Sequence, residues 1–456
     1  MLSLNELGIE KDLLQLIYNL NKEASVIVQT PVGDTSEFTT GPIVKQGSIL
    51  GPVLCSSSTA EFCGVNLGVT VGALVLASLL YVDDIIDLSS TFSDCIEAHR
   101  RAVLFAKLKK LKYSAKKCFN MIVNKAAGME HPELHLDGGK LVVPASVITY
   151  LGDLFNEKGN NDDLIDDRVK RGTKAMISIM ALMSETDVGE HHINVMLLLY
   201  RSLFLSTMLF NSQTWSNLRK KDIDALKVVQ QKFLKRIVGV SASTSNSAIF
   251  LELGVLPIEY EIEKRQLMYL HRILLLEPND PVYVMYVNMR ELSEAGERNW
   301  WSDVEKLLVK YNFDLESIQS MSKETFRTYV RKAVSDAGFE ALYNESKGKK
   351  KTAHLSYSKL CLQPYFEKLY PSQARLMFKC RTQTVDIKTH LTYKYTVDSV
   401  CRRCGQDEET YSHIINCGVD NIEVIDLANV TVMDNERKLK VQQCLGRVRN
   451  FLNDHT

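Results

Sequence analysis

The sequence predicts a mixed α/β unit, then a long helical region, then a small metal-binding module near the end. Three observations predict it. Up to residue 158, short β-branched runs alternate with turn signals and a few helical stretches. After Gly159, strand signals fade and apolar residues recur at three- and four-residue spacing. Finally, Cys401-Arg-Arg-Cys404 and His413-Ile-Ile-Asn-Cys417 stand at metal-ligand spacing.

The first part reads as a helix over 4–20, a strand with alternating Val26 and Val28, and a turn at Gly33-Asp34. Residues 41–88 read mostly as strand and loop around a helix-prone stretch near 57–63, residues 94–113 as helix, and 141–155 as short strands. Gly64 to Val82 is nearly free of polar groups and approaches the roughly 20 residues that a bilayer needs. Its β-branched residues alternate with Gly and Ala, however, and it runs straight into Asp83-Asp84, which predicts a buried β-hairpin. Helices follow at about 162–185, 190–211, 220–238 and 258–276. In the third, Ile223, Leu226, Val229, Phe233 and Ile237 form one apolar stripe, opposite Lys220, Lys221, Lys227, Lys232, Lys235 and Arg236. Further helices fill 283–345, Ser346 to Thr352 forms a basic linker, and the cysteine module comes last. The expected divisions are therefore 1–158, 159–282, 283–395 and 396–456.

Composition sets limits. The chain has 456 residues, enough for two or three domains, and its 45% hydrophobic and 24% charged content is ordinary for a soluble globular protein. Lys plus Arg equals Asp plus Glu at 55 each, so any nucleic-acid binding must come from local clusters. The ten cysteines follow no secreted pattern and no signal peptide is legible. An intracellular setting, nuclear or cytoplasmic, is expected, which turns clustered cysteines into metal candidates.

Leu79-Leu80-Tyr81-Val82-Asp83-Asp84-Ile85-Ile86 is the first chemical motif. Successive strand residues face opposite ways, so two adjacent acids between apolar strand formers suit a tight hairpin tip that lifts both carboxylates toward a hard divalent cation. A solvated turn would look the same. Upstream stands Gln46-Gly47 followed by Gly51-Pro52, a loop entering a helix with bare backbone. Downstream, residues 98–125 hold nine Lys/Arg and no acid and include Lys116-Lys117, and Tyr150-Leu151-Gly152-Asp153 follows.

In this order and spacing the motifs resemble the reverse transcriptases of non-LTR (LINE-like) retrotransposons, over roughly residues 1–280. The resemblance continues through Trp215 and the segment Phe250-Leu-Glu-Leu-Gly254-Val-Leu-Pro257-Ile258. It implies a partial polymerase palm with a mixed sheet, an α-helical thumb, and RNA-directed DNA polymerase chemistry. It further implies Asp83 as a Mg²⁺ (or Mn²⁺) ligand assisted by Asp84, and Lys117 near the incoming triphosphate. Gln46, Gly47 and Tyr81 would contact nucleotide and template, and Tyr150, Leu151 and Gly152 would grip the primer. The implied partners are an RNA template, a DNA primer or target DNA, and deoxynucleoside triphosphates, with no membrane. One departure matters. The family's other metal-binding Asp lies on an earlier palm strand, and no equivalent of it or of the fingers is read in this sequence, whose first residues resemble the helix after that strand. Two-metal transfer needs carboxylates on both sides of the ion pair, so this chain is expected not to extend a primer alone.

Cys401, Cys404, His413 and Cys417 predict a closed, structural Zn²⁺ knuckle. Such knuckles also follow the polymerase in non-LTR elements. Arg402, Arg403, Lys388 and Lys394 suit a phosphate backbone. Losing the metal is expected to loosen this module while leaving the 162–276 helices folded. Three classes of function stay open: a polymerase descendant, a non-catalytic nucleic-acid binder using the basic helices and knuckle, and a membrane protein with a terminal zinc module.

Overall fold

Short apolar runs between polar turns form six two-stranded sheets among the described residues. The computed structural model describes the chain except residues 1–3, 6, 7, 23, 41–47, 60, 61, 63–66, 187–191, 392–397, 420, 421, 428, 429, 431, 455 and 456. It divides into two compact units, Met1–Ile148 with Pro278–Asn288, and Thr149–Glu277 with Met289–Thr456.

The first unit is mixed helix and strand with small cores. Leu4, Leu14 and Ile17 pack with Ile9 and Leu54, while Leu134, Leu136 and Val142 form a second cluster against Cys95, Val103 and Tyr113. The apolar run that ends at Asp83 becomes two successive hairpins, Val69–Val71 with Leu74–Leu76 and Ser78–Tyr81 with Asp84–Asp87. No helix of the described residues is long and apolar enough to cross a membrane. The expectation of a buried hairpin needs correction, because Val75, Leu79 and Tyr81 are 48%, 39% and 59% exposed. The expected mixed sheet is likewise absent among the described residues. Val147–Tyr150 pairs with Asp153–Asn156 alone and not with the Asp83 hairpin. A two-stranded ribbon has no flanking strands, and the helices Gly51–Thr59 and Phe92–Leu108 that pack against this one leave part of it in water.

The second unit is helical. Asp162–Ser184, Lys220–Val238 and Ile258–Leu274 fall where the periodicity places them. The expected 190–211 helix appears as His192–Leu199 and Leu205–Met208 joined by a π turn at Tyr200–Phe204. Leu226, Val229, Phe233 and Ile237 are buried as the stripe requires. One continuous core runs from Leu164 to Phe451 and takes in Cys401, Ile414, Ile415 and Cys417.

Two buried polar knots fix this core. Gln230, fully inaccessible, donates from Nε2 to the Tyr200 hydroxyl at 2.8 Å and to the Leu256 carbonyl at 2.9 Å, and accepts from the Ile258 amide at 2.9 Å. It thus joins three helices and caps the first turn of one. Glu252, also fully inaccessible, accepts from Tyr357 Oη at 2.7 Å, Tyr365 Oη at 2.9 Å and Arg381 Nε at 2.9 Å. Arg381 continues to the Leu427 carbonyl. Burial and the Glu252 charge push the phenol of Tyr365 well above its ordinary pKa. Next to Glu252, Gly254 ends its helix at φ +62°, and a Cβ there would stand 2.4 Å from the backbone of Cys361 and Leu362. Only glycine permits both the turn and that approach.

Removing one partner of a buried ion pair strands the other, at a cost of about 3–5 kcal/mol. Arg381→Met is therefore expected to lower the stability of the helical unit by that amount in urea denaturation followed by circular dichroism. Lys440→Met, which removes a half-buried lysine paired with the exposed Glu423 and Glu436, should leave the midpoint where it is.

Candidate metal centre and the Asp83 hairpin

The metal centre grows out of two local structures. Cys401 and Cys404 lie on a tight loop closed by the Val400–Glu408 bridge, by the Cys401 amide to the Asp407 carbonyl at 2.7 Å, and by the Gly405 amide to the Cys401 carbonyl at 2.9 Å. Thr410 caps the short helix Tyr411–Asn416, its hydroxyl accepting from the His413 amide, and Cys417 follows directly. These pieces bring the four predicted ligands together, all donor atoms lying within 4.8 Å of one another. Cys401 Sγ and Cys417 Sγ are 3.7 Å apart, and Cys404 Sγ and His413 Nε2 are 3.4 Å apart. A tetrahedral ion with bonds of about 2.3 Å to sulfur and 2.0–2.1 Å to nitrogen separates its ligands by roughly 3.8 and 3.6 Å. The group can hold a metal ion and its geometry is compatible with zinc.

Electrostatics favour the same use. The amides of Asp407 and Gln406 point at Cys404 and hold its thiol below its ordinary pKa, which favours the thiolate. Burial and the neighbouring sulfurs push Cys417 up, an opposition that a cation would relieve. Asp407 Oδ2 lies 3.6 Å from His413 Nδ1, a carboxylate behind the ring as metal-bound histidines commonly have.

Three of the flanking cations have partners within the chain. Arg402 binds Glu409 through its backbone amide and guanidinium at 2.7–3.0 Å. Glu409 is fully inaccessible and also accepts from the Lys388 amide. Burial raises the Glu409 pKa, but these bonds outweigh it and hold the carboxyl below its ordinary value. Arg403 Nη1 donates to the Cys417 carbonyl at 3.1 Å, Nη2 reaches Asp454 at 2.5 Å, and the guanidinium lies 4.8 Å from the Phe451 ring centroid. Lys388 Nζ pairs with Asp398 at 2.7 Å. All three fasten the knuckle to the core instead of facing outward. Lys394 lies outside the described residues.

The other predicted residues occupy two units. In the first, Tyr81 pairs with Asp84 at the end of the hairpin, and Val82 and Asp83 form its turn. Val82 has φ +58°, a conformation that β-branched residues rarely adopt, and its carbonyl accepts from the Cys55 thiol at 3.3 Å. Asp83 and Asp84 are exposed, and no third acid or histidine gathers with them at metal-ligand distance among the described residues, although the Cys55 thiol lies close enough to feel the Asp83 charge. Lys117 sits exposed at the end of a 3₁₀ turn, Ala115–Lys117. Gln46 and Gly47 fall outside the described residues. In the second unit, Leu151 and Gly152 form a two-residue turn with φ +47° and +88°. Arg168, 1% exposed, donates to the Gly152 carbonyl at 2.8 Å and pairs with Asp153, whose other oxygen accepts from Asn211 at 2.8 Å. A Cβ on Gly152 would touch the Phe210 ring at 3.4 Å.

No protein-family model matches the chain, and no curated protein matches it. Sequence reasoning missed Arg168, Glu252 and Glu409. A signal existed for Glu252, a lone charge inside Ala-Ile-Phe-Leu-Glu-Leu-Gly-Val-Leu, because a charge among core residues must be paired.

Metal analysis of the purified chain should find about one zinc per chain, and Cys404→Ser should take it toward zero. Because Cys401 and Cys417 belong to the same core as the Lys220–Val238 helix, the substitution should also lower the thermal midpoint of the whole helical unit. Unchanged metal content would reject the centre.

Proposed function

We propose that the chain belongs to the reverse-transcriptase lineage of non-LTR retrotransposons, with residues 1–158 as part of a polymerase palm and 159–282 as its thumb, and that as it stands it handles nucleic acid without extending it. The observation that carries this reading is the Asp83 hairpin. A two-residue turn with a strained Val82 presents two adjacent, exposed carboxylates at the tip of apolar strands, an arrangement that offers oxygen ligands to a divalent cation from one side. The Tyr150-Leu151-Gly152 turn, held from behind by Arg168 and Asp153, suits a primer grip, since a backbone that must hold a primer end has to be rigid. In this reading Lys117 meets the triphosphate, and Tyr81, Gln46 and Gly47 meet nucleotide and template.

The non-catalytic part of the proposal rests on carboxylate number. Asp83 and Asp84 reach an ion pair from one side, and no third acid joins them among the described residues. Binding falls to the basic face of the Lys220–Val238 helix, where Lys220, Lys232 and Arg236 are exposed, while zinc at the Cys401 centre serves the fold.

Residues 1–456 are expected to bind an RNA–DNA hybrid with an affinity that falls steeply as salt rises, because the contacts are to phosphate. Lys232→Glu with Arg236→Glu should weaken binding on all sequences alike, and primer extension should be undetectable with Mg²⁺ or Mn²⁺. Salt-independent binding would defeat the phosphate contacts. Robust extension that survives Asp83→Asn would defeat the hairpin's assigned role.

A further inference from the structure

The four ligands of the metal centre do not share one environment. Cys401 and Cys417 are 1% and 4% exposed and belong to the core that also holds the Lys220–Val238 helix. Cys404 and His413 are only half-buried, and Gly405 to Glu408, the loop that follows Cys404, is exposed throughout. The centre therefore has an inner edge of two sulfurs sealed in the protein and an outer edge that water reaches. All three sulfurs lie within 4.8 Å of one another.

That asymmetry gives the cysteines a second chemistry. Coordination to a metal keeps a thiol deprotonated, and the thiolate is the form of cysteine that attacks an electrophile. A small oxidant arriving from solvent meets Cys404 first, with Cys401 and Cys417 directly behind it. Oxidation-sensing cysteines have this arrangement, an accessible sulfur beside a resolving one. Cys380 and Cys444 are also close enough to feel each other's charge, but they are 8% and 0% exposed. Burial pushes the Cys380 thiol up to about 12, so an oxidant neither reaches that pair nor finds a thiolate in it.

We propose that Cys404 is an oxidation site for hydroperoxides, and that its oxidation closes a disulfide with Cys401 or Cys417 and releases the metal. The proposal rests on the metal centre described above and not on the nucleic-acid reading. The chemistry balances in two steps. First the Cys404 thiolate attacks a peroxide oxygen: an S–O bond forms, the O–O bond breaks, and the leaving oxygen takes a proton from solvent to become water or an alcohol. Cys404 is now a sulfenic acid, oxidised by two electrons as the peroxide is reduced by two. The neighbouring thiolate then attacks the Cys404 sulfur: the S–S bond forms, the S–O bond breaks, and hydroxide leaves as water with a second proton from solvent. One cysteine and His413 remain, two ligands where a structural zinc site uses four. The loop and the short helix Tyr411–Asn416 lose their common ion, and because Cys401 and Cys417 pack in the shared core, the change reaches the helical unit.

The zinc-loaded full chain is treated with hydrogen peroxide in the presence of a chromogenic zinc chelator, and its cysteines are then mapped by mass spectrometry. About one zinc per chain is expected to reach the chelator with peroxide present, and none without it. The map should show two hydrogens lost in a disulfide that includes Cys404, with Cys380 and Cys444 still reduced. A thiol reductant with added zinc should restore both the metal content and the thermal midpoint. Cys404→His keeps a fourth zinc ligand and removes the entry thiolate, so release should slow by about tenfold. The wild-type map decides even where that variant binds no metal. Zinc that stays bound while the half-buried Cys55 or Cys361 oxidises overturns the proposal. A disulfide between Cys401 and Cys417 that leaves Cys404 reduced does the same. A purified chain that takes up no zinc overturns the metal centre itself, and the proposal with it.

Discussion

The carboxylate of Glu252 is sealed from water, so its oxygens must find hydrogen-bond donors or a positive charge on the elements around it. Three groups supply them: the two tyrosines Tyr357 and Tyr365, and Arg381 from the Pro371–Arg381 helix. The Arg381 guanidinium in turn holds the carbonyl of Leu427. Segments up to 129 residues apart in sequence with Glu252 are thereby tied at one point, and Gly254 lets the chain at Cys361 pass close by. An apolar cluster of the same volume could supply comparable stability. What the charged knot adds is direction, since a carboxylate satisfied by three specific donors fits one arrangement of the elements that carry them.

The metal centre extends this logic to the end of the chain. Its four ligands occupy a loop and a single helical turn, too little to bury a core of their own. Glu409, sealed under Arg402 and the Lys388 amide, and Arg403, reaching Asp454 and the Phe451 ring, fasten that small structure to the Asn435–Asn453 helix and to the body. Arginines beside a cysteine-histidine motif look like phosphate contacts when only the sequence is in view. In the folded chain Arg402 pairs with the buried Glu409 and Arg403 with Asp454.

The first unit is built differently. Among the described residues its sheets are pairs of strands and its cores are a few residues each, so much of their apolar surface stays in contact with water. Within this setting the Asp83 hairpin keeps its shape by local means: four paired residues on each strand, a two-residue turn, and Ser78 Oγ donating to Asp87 at 2.7 Å across the open end. A positive φ at a valine persists only where its surroundings over-determine it. Here the strand pairing on either side and the Cys55 thiol on its carbonyl supply the constraint.

The sequence by itself determined what depends on near neighbours. Periodicity placed three of the long helices of the second unit within about two residues of their ends, alternation and an acidic pair placed the hairpin turn to within one residue, and ligand spacing named the four residues that come together as a candidate metal site. Each signal is local, because helix faces repeat every 3.6 residues, strand faces every two, and a metal loop closes within four. Tertiary structure alone decided the rest. Nothing in one sequence tells that Glu252 meets Arg381, that Arg402 turns inward to Glu409, or that the cysteine module shares one core with helices more than 200 residues earlier. It also decided that the strands form isolated pairs. Whether a strand gains a second neighbour depends on which distant segment reaches its free edge, and the pattern of residues along the strand reads the same in either case.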